Sequence, residues 1–362
     1  MLDGDSNISL YTARCLAQVP DVRLFALAEA DWTPLRFSRH RVEYILVDKY
    51  ADDVERLEIV LQVIREKQID MVMPIEDDAV AFVSHCRQEL EGVTAVMPTP
   101  SLDMLKTATD KWQLAQFLEK HHIPGPKTIL FTGNEQVEAQ VAELHLPILC
   151  KPAYGRSGNG IRFFDDADAC LAHLRQMKLE VETPSFMIQS YVDGYDVDCS
   201  VLCQDGKILA HTIQKGFIPR SSQFAPAAGI EFINHEEIMD LVTRLMQKMN
   251  FSGVAHLDLR SEAETGRIKL IEINTRFWGS VVGSLVVGVN FPHLACLAGL
   301  NRSFEYPDYR LGRYVDFSAV IKEGIRRIVR KNSHDFGWND TGLRYLLVDP
   351  LAEIVRLIKQ GL

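Results

Sequence analysis

The segment Leu270-Ile271-Glu272-Ile273-Asn274 constrains this chain more than any other. In an extended backbone alternate side chains share a face, so Glu272 and Asn274 point one way and Ile271 and Ile273 the other, into a core. Val254-Ala255-His256-Leu257-Asp258-Leu259 alternates in the same manner, and a hairpin through Glu264-Thr265-Gly266 would lay it alongside. Asp258 stands 14 residues before Glu272. A fold containing this pair must bury one face of two strands and leave two carboxylates and a carboxamide on the other. Three hard oxygen donors of that kind suit Mg²⁺. Arg276, two residues past the last of them, supplies a cation where a phosphate would need one.

A chain of 362 residues has room for two or three domains and a large core. Its 47% hydrophobic and 24% charged residues are ordinary for a soluble globular protein. A formal charge of -10 argues against a general nucleic-acid binder, which shows a basic face, but leaves room for a locally bound nucleotide. Seven scattered cysteines without a Cys-x-x-Cys pair fit reduced thiols in the cytoplasm. Cys199 and Cys203 read as strand packing rather than a metal pair. No apolar run approaches the length of a membrane span, and the N-terminus does not read as a signal peptide. A cytoplasmic protein with neither nucleic-acid nor membrane partners is expected.

The first hundred residues alternate short apolar runs with amphipathic ones. Helices are expected over 7–17, 53–67 and 77–90, and strands over 23–28, 44–47 and 71–74. Such alternation indicates an open α/β layer on a mostly parallel sheet, whose ligands bind beyond the carboxyl ends of the strands. Asp3-Gly4-Asp5 and the turn carrying Glu76 and Asp77 occupy that position. Met1-Leu2 is short for the strand that should precede Asp3, so either that strand is minimal or the true start lies upstream. A helix over 103–121 should end at Ile123-Pro124-Gly125-Pro126. Strands and helices alternate over 128–206, and 207–290 add strands, a helix over 236–249 and the hairpin above. The tail 291–362 is basic in places and ends in an amphipathic helix over 351–362.

Lys151 ends an apolar run and precedes Gly155-Arg156-Ser157-Gly158-Asn159-Gly160. A lysine at a strand end before a glycine-rich loop is a phosphate-binding design, in which backbone N–H groups approach the anion and the ammonium supplies a point charge. No Gly-Lys-Ser/Thr follows, so this is not a Walker loop. A hairpin with an exposed lysine accounts equally well for these residues taken alone. Lys111, on the helix before the proline turn, reads by itself as a solvated lysine. The strand and turn over 187–196 could offer an adenine edge its donor and acceptor, with Asp196 taking a ribose hydroxyl. An ordinary strand and turn is the plainer alternative.

In order, Lys111, Lys151, the glycine-rich loop, the turn at 189–196, Asp258, and Glu272 with Asn274 resemble the ATP-grasp superfamily over residues 1–290. The stretch from Glu272 to Ser280 looks most like carboxylate–amine ligases and carbamoyl-phosphate-synthase-like proteins. The resemblance implies an α/β (α+β ATP-grasp) fold. A Rossmann-like layer would occupy 1–100, a linker helix and small lid 101–192, an antiparallel-sheet subdomain with the metal site 193–300, and a helical extension 301–362. The implied cofactors are ATP and Mg²⁺ or Mn²⁺. Lys111 and Lys151 would contact the phosphates, with Gly155, Ser157, Gly158 and Gly160 closing over them. Gln189, Ser190, Tyr191 and Val192 would hold adenine, and Asp196 ribose. Asp258, Glu272 and Asn274 would hold two ions with Glu272 shared, and Arg276, with Lys151, would steady the transferred phosphoryl group. Gln189 stands where the family commonly has glutamate, and Asp196 is one methylene shorter than the usual glutamate; both keep hydrogen-bonding ability.

The chemistry so implied is activation of a carboxylate as an acyl phosphate, which an amine then attacks. The protein would contribute position and charge neutralisation. No side-chain nucleophile is needed, in keeping with the absence of a convincing Ser/His/Asp or Cys/His arrangement. His256 shares a face with Asp258 and reads first as structural. Glu76 and Asp77 could recognise an amine, and Lys215 or Arg220 a carboxylate, although each also reads as solvated charge. A carboxylate–amine ligase acting on small molecules is the leading expectation, with a homodimer open to it. A bicarbonate-using carbamoyl phosphate or carboxylase-type enzyme and a non-catalytic ATP-binding regulator are the alternatives.

Overall fold

The computed structural model describes the chain apart from residues 41, 132–135, 153–159, 181–185, 220–225, 329–334 and 360–362. In the N-terminal part β1 (Leu24–Ala28) and β2 (Val42–Leu46) pair in parallel, as do β3 (Met71–Val72) and β4 (Ala95–Val96). The first four residues join the two pairs. Leu2 N–H donates to the Met73 carbonyl at 3.0 Å, Leu27 N–H to Met1 at 3.1 Å and Gly4 N–H to Leu27 at 2.7 Å. Met1-Leu2 thus bridges the two pairs by hydrogen bonds without forming a strand of its own. Gly4 is needed there, because a Cβ would lie 2.8 Å from the Leu27 carbonyl oxygen.

Helices α1 (Asn7–Leu16) and α2 (Asp53–Lys67) start at Ser6 and Asp52, whose side chains accept from first-turn N–H groups. The helix expected over 77–90 is two, α3 (Asp77–His85) and α4 (Arg87–Glu91), separated by a non-helical Cys86. The one expected over 103–121 is likewise α5 (Leu102–Thr109) and α6 (Lys111–Lys120). Asp110 breaks it: its backbone is extended and its carboxylate accepts from Trp112 and Gln113 N–H at 2.8 and 3.0 Å. A short acid that can cap competes with helix continuation. The cap makes Lys111 the first residue of α6.

A four-stranded sheet follows, formed by β5 (Thr128–Phe131), β6 (Ile148–Pro152), β7 (Arg162–Phe164) and β8 (Phe186–Ser190) in the order β5-β8-β6-β7. It packs on α7 (Gln136–Val141) and α8 (Ala167–Glu180) through Ile129, Val137, Ile148, Leu171 and Ile188. The larger sheet holds β9 (Gly194–Gln204), β10 (Lys207–Ile218), β11 (Gly229–Ile233), β12 (Gly253–Glu262), β13 (Ile268–Asn274) and β14 (Gly312–Val315), antiparallel throughout. Its order is β13-β12-β9-β10-β11-β14. Period-2 alternation divides its central strands. Val197, Cys199, Val201, Cys203, Ile213, Ala255 and Leu257 form one face and pack on Leu241, Leu245 and Met249 of α9 (Glu236–Met249). Cys199 and Cys203 are therefore core residues, as expected. The other face carries Asp198, Ser200, His256 and Asp258.

The hairpin through Gly266 is present, with one change of detail. Asp258 pairs with Glu272 but Leu259 pairs with Leu270, so Ile271 is the extra residue of a β-bulge. Leu270 and Ile273 occupy the core in place of the expected Ile271 and Ile273. The bulge leaves Glu272 directly opposite Asp258.

Helices α10 (Val281–Val286) and α11 (Phe291–Gly299) lie in a second core with Leu10, Leu202, Val254 and Trp278. The tail contributes β14, α12 (Phe317–Ile328), α13 (Leu343–Leu347) and α14 (Pro350–Lys359). The last helix returns to the N-terminal layer and packs on the 3₁₀ turn Pro34–Phe37. Arg14 of α1 donates to Glu353 at 2.9 Å, and Arg14, Asp349, Glu353 and Arg356 are all buried there.

Candidate active site

Cross-strand register sets two polar rows on the face of the larger sheet that α9 leaves open. One is Glu272, Asp258, Asp198 and Gln214; the other is Asn274, His256, Ser200 and Thr212. Exposure falls along the first row, from an Asp258 side chain that is 42% exposed to a buried Gln214. Asn274 Nδ2 lies 3.4 Å from Asp258 Oδ2, and Lys111 Nζ lies 3.3 Å from Glu272 Oε1. The three oxygen-bearing residues nominated for a metal do converge, and their hard donors fit Mg²⁺. Desolvation by the surrounding protein, acting although the side chain is partly open to the cleft, then the like charges of Asp198 and Glu272, raise the Asp258 carboxyl well above the usual range. Burial also pushes Asp198 up to about 7. A divalent cation would reverse these shifts.

His256 is held from three sides. Its Nδ1 lies 2.9 Å from Ser200 Oγ, its ring stacks on Trp278 at 5.4 Å, and its Nε2 faces Asp258 and Asp198. Burial, assisted by Arg276, lowers its pKa to about 3, so it is a neutral imidazole.

Lys151, at the end of β6, is 5% exposed and donates to Gln189 Oε1 at 2.8 Å. Gln189 in turn donates from Nε2 to Thr128 Oγ1 at 2.7 Å. The glutamine that replaces the family's common glutamate is thus an acceptor for the buried lysine. Burial lowers the Lys151 pKa to about 8, the Glu272 carboxylate opposing and the Lys111 ammonium reinforcing the shift. A lysine with a lowered pKa carries its charge below about 8 and loses it above. Affinity for a nucleotide phosphate should therefore fall roughly tenfold between about pH 7 and about pH 9. Equilibrium binding of ATP across that range tests this; Lys151→Met should bind weakly without the pH dependence.

Other nominated residues stand differently. Arg276 Nε lies 3.1 Å from Asp77 Oδ2 and 3.4 Å from Glu76 Oε2, and Glu76 also accepts from Ser6 Oγ. The two acids considered for an amine are thus gathered at Arg276, at the carboxyl end of β3. Asp196 is paired with Arg260 at 3.0 Å, its side chain 67% exposed. Ser190 and Val192 are buried, and the N–H groups of Ser190 and Tyr191 donate to the carbonyls of Lys127 and Pro147. An adenine edge would therefore need a donor other than these two. Lys215 follows Gln214 on β10, so it points to the opposite side of the sheet, where it pairs with Glu231 at 3.4 Å. That removes it from the metal-side cleft. Gly160 has φ +79, which glycine adopts freely. Gly155, Ser157, Gly158 and Arg220 lie outside the described residues.

Two residues of the cleft escaped the sequence reading, Asp198 and Gln214. The signal for Asp198 was present, since Asp196-Val197-Asp198-Cys199-Ser200 alternates and puts it on the face of Asp196. Its neighbour Asp258 is 60 residues away in sequence, and only the β9–β12 pairing reveals it.

The ATP-grasp domain family matches residues 108–280. The arginine-specific carbamoyl phosphate synthase large chain of Geobacillus stearothermophilus is 25% identical over 269 residues, 72% of this chain and 25% of that one. The chain thus spans a quarter of that relative's length. A D-alanine–D-alanine ligase of Pseudomonas entomophila is 23% identical over 179 residues, 46% of this chain and 54% of the ligase. Two solved structures share the fold. The biotin carboxylase domain of Hydrogenobacter thermophilus 2-oxoglutarate carboxylase, solved with MgADP, ADP and bicarbonate, superposes with a TM-score of 0.67 at 15% identity, over 86% of this chain and 72% of that one. The L-amino acid ligase of Bacillus licheniformis does so at 0.60 and 18% identity, over 82% and 72%. Lys111, Lys151, Asp258, Glu272 and Asn274 all lie inside residues 108–280, the stretch of this chain that matches the ATP-grasp domain family.

Proposed function

We propose that the protein is an ATP-dependent ligase that activates a carboxylate as an acyl phosphate and joins it to an amine. The observation that carries this reading is the convergence of Asp258, Glu272, Asn274 and Lys111 on one patch, with Lys151 buried in the same electrostatic neighbourhood. Asp258, Glu272 and Asn274 would hold Mg²⁺, which neutralises phosphate charge when bound. Lys111 and Lys151 hold the phosphates as point charges. A carboxylate oxygen of the substrate attacks the γ-phosphorus and ADP leaves. The amine then attacks the acyl carbon, phosphate leaves, and the amine proton passes to water. Arg276 steadies the carboxylate and the transferred group once substrate displaces Glu76 and Asp77 from it, and either acid then pairs with an ammonium. Position and electrostatics do the rest.

We read the four parts as 1–100, 101–192, 193–300 and 301–362, the first as a Rossmann-like layer; its parallel strand pairs support this. A cytoplasmic homodimer completes the proposal, on the support of free cysteines and of exposed Leu351, Ile354 and Ile358 on α14. No helix among the described residues is long and apolar enough to cross a membrane.

ADP release in the presence of ATP, Mg²⁺ and a library of amino acids and amines, with products identified by mass, tests the function. Release that needs an acid and an amine but not bicarbonate is expected. Bicarbonate-dependent release would replace the acceptor, and ATP binding without release under any combination would leave a regulator.

A further inference from the structure

The imidazole of His256 faces the carboxylates of Asp198 and Asp258 across a gap that hydrogen bonding does not explain. Its Nε2 lies 3.7 Å from Asp258 Oδ1 and 3.9 Å from Asp198 Oδ2. An imidazole–carboxylate hydrogen bond would bring these atoms within about 3.2 Å. Two ligands of one tetrahedral ion with bonds of about 2.1 Å are separated by roughly 3.4 Å, much nearer to what is seen. One ligand atom from each of the three residues lies within 4.8 Å of the other two.

The surroundings are those of a metal ligand set. His256 Nδ1 is engaged by Ser200 Oγ at 2.9 Å and the ring is clamped on Trp278, so Nε2 is fixed toward the carboxylates. Gln214 donates from Nε2 to Asp198 Oδ2 at 3.1 Å and to Ser280 Oγ at 3.3 Å, orienting the second ligand. Its Oε1 has no hydrogen-bond partner among the described residues, although Gln214 is only 2% exposed. A buried oxygen acceptor without a donor, on the side chain that donates to Asp198, is what a cation would satisfy.

We propose that Asp198, His256 and Asp258 form a second divalent-cation site, distinct from the Asp258, Glu272 and Asn274 set. Its imidazole ligand selects a transition metal of the Zn²⁺ or Co²⁺ class over Mg²⁺. Asp258 is the bridge. Its Oδ1 faces His256 while its Oδ2 lies 3.4 Å from Asn274 Nδ2, so one oxygen serves each side. The site needs no nucleotide, since all three ligands come from β9 and β12 of the same sheet.

The test is metal binding by the full chain without nucleotide: equilibrium dialysis with Zn²⁺ and the visible absorption of Co²⁺. One equivalent is expected in the wild type and in Glu272→Gln, with a loss of at least tenfold in affinity in His256→Asn and in Asp198→Asn. Circular dichroism identifies variants that keep the fold; if His256→Asn does not, Asp198→Asn decides. Equal binding in the folded histidine or aspartate variant, no binding in the wild type, or loss in Glu272→Gln would each overturn the proposal. None of these results depends on ligase turnover, so failure of the site and failure of the ligase reading are told apart by the ADP-release assay.

Discussion

Glu272→Gln is expected to lower ADP release at least about 100-fold, about 2.7 kcal/mol in the barrier, while leaving the fold intact. Glu272 stands opposite Asp258 in register and 3.3 Å from Lys111. Glutamine keeps its length and shape but not its charge. The cation it would share with Asp258 and Asn274 then loses a ligand, and Lys111 loses the carboxylate 3.3 Å from it. The side chain is one-third exposed, so little packing is disturbed and the melting temperature should stay within a few degrees. Steady-state turnover with circular dichroism on the same preparations decides the matter. Undiminished release would remove Glu272 from the metal set and with it the reading of this cleft.

Arg14→Met is the expected large effect on stability, with a loss of about 3–5 kcal/mol in denaturant unfolding. Arg14 sits on α1 and reaches Glu353 at 2.9 Å and Asp349 at 3.9 Å, in surroundings where all these side chains are nearly inaccessible. Arg356 shares Glu353, and Asp349 also accepts from Ser38 Oγ and Arg39 N–H at 2.9 and 2.8 Å. Methionine fills the space but takes one guanidinium away from two buried carboxylates, leaving Arg356 beside Glu353. Breaking a buried pair from one side strands the other charge, whereas replacing both partners by apolar groups can be nearly neutral. The double variant Arg14→Met, Glu353→Met should therefore recover part of the loss. A single variant as stable as the wild type would show that this contact does not hold α14 to the N-terminal layer.

Much of the site was legible because its period is local. The alternation through Glu272 and Asn274, and through His256 and Asp258, needs only an extended backbone, and the hairpin at Gly266 followed from turn chemistry. The bulge at Ile271 did not, since a register shift depends on the partner strand. The breaks at Cys86 and Asp110 were missed because apolar periodicity continues across both positions. At Asp110 a side-chain cap outweighs it locally.

The sequence by itself determined which residues are nominated for the proposed chemistry and in what order: the two lysines, the glycine-rich loop, and the acid–acid–amide set on alternating strands. Those properties are fixed by side-chain type and by a backbone period of two. Tertiary structure alone decided that Asp198 lies beside Asp258, that Arg276 is held by Glu76 and Asp77, that Lys215 lies on the opposite side of the sheet, and that the tail locks onto α1. Each of these joins groups separated by at least 60 residues except the side of Lys215, which follows from the strand's alternation once Gln214 is known to face the cleft. Contacts at that range are set by strand pairing and buried charge, which a linear pattern does not record.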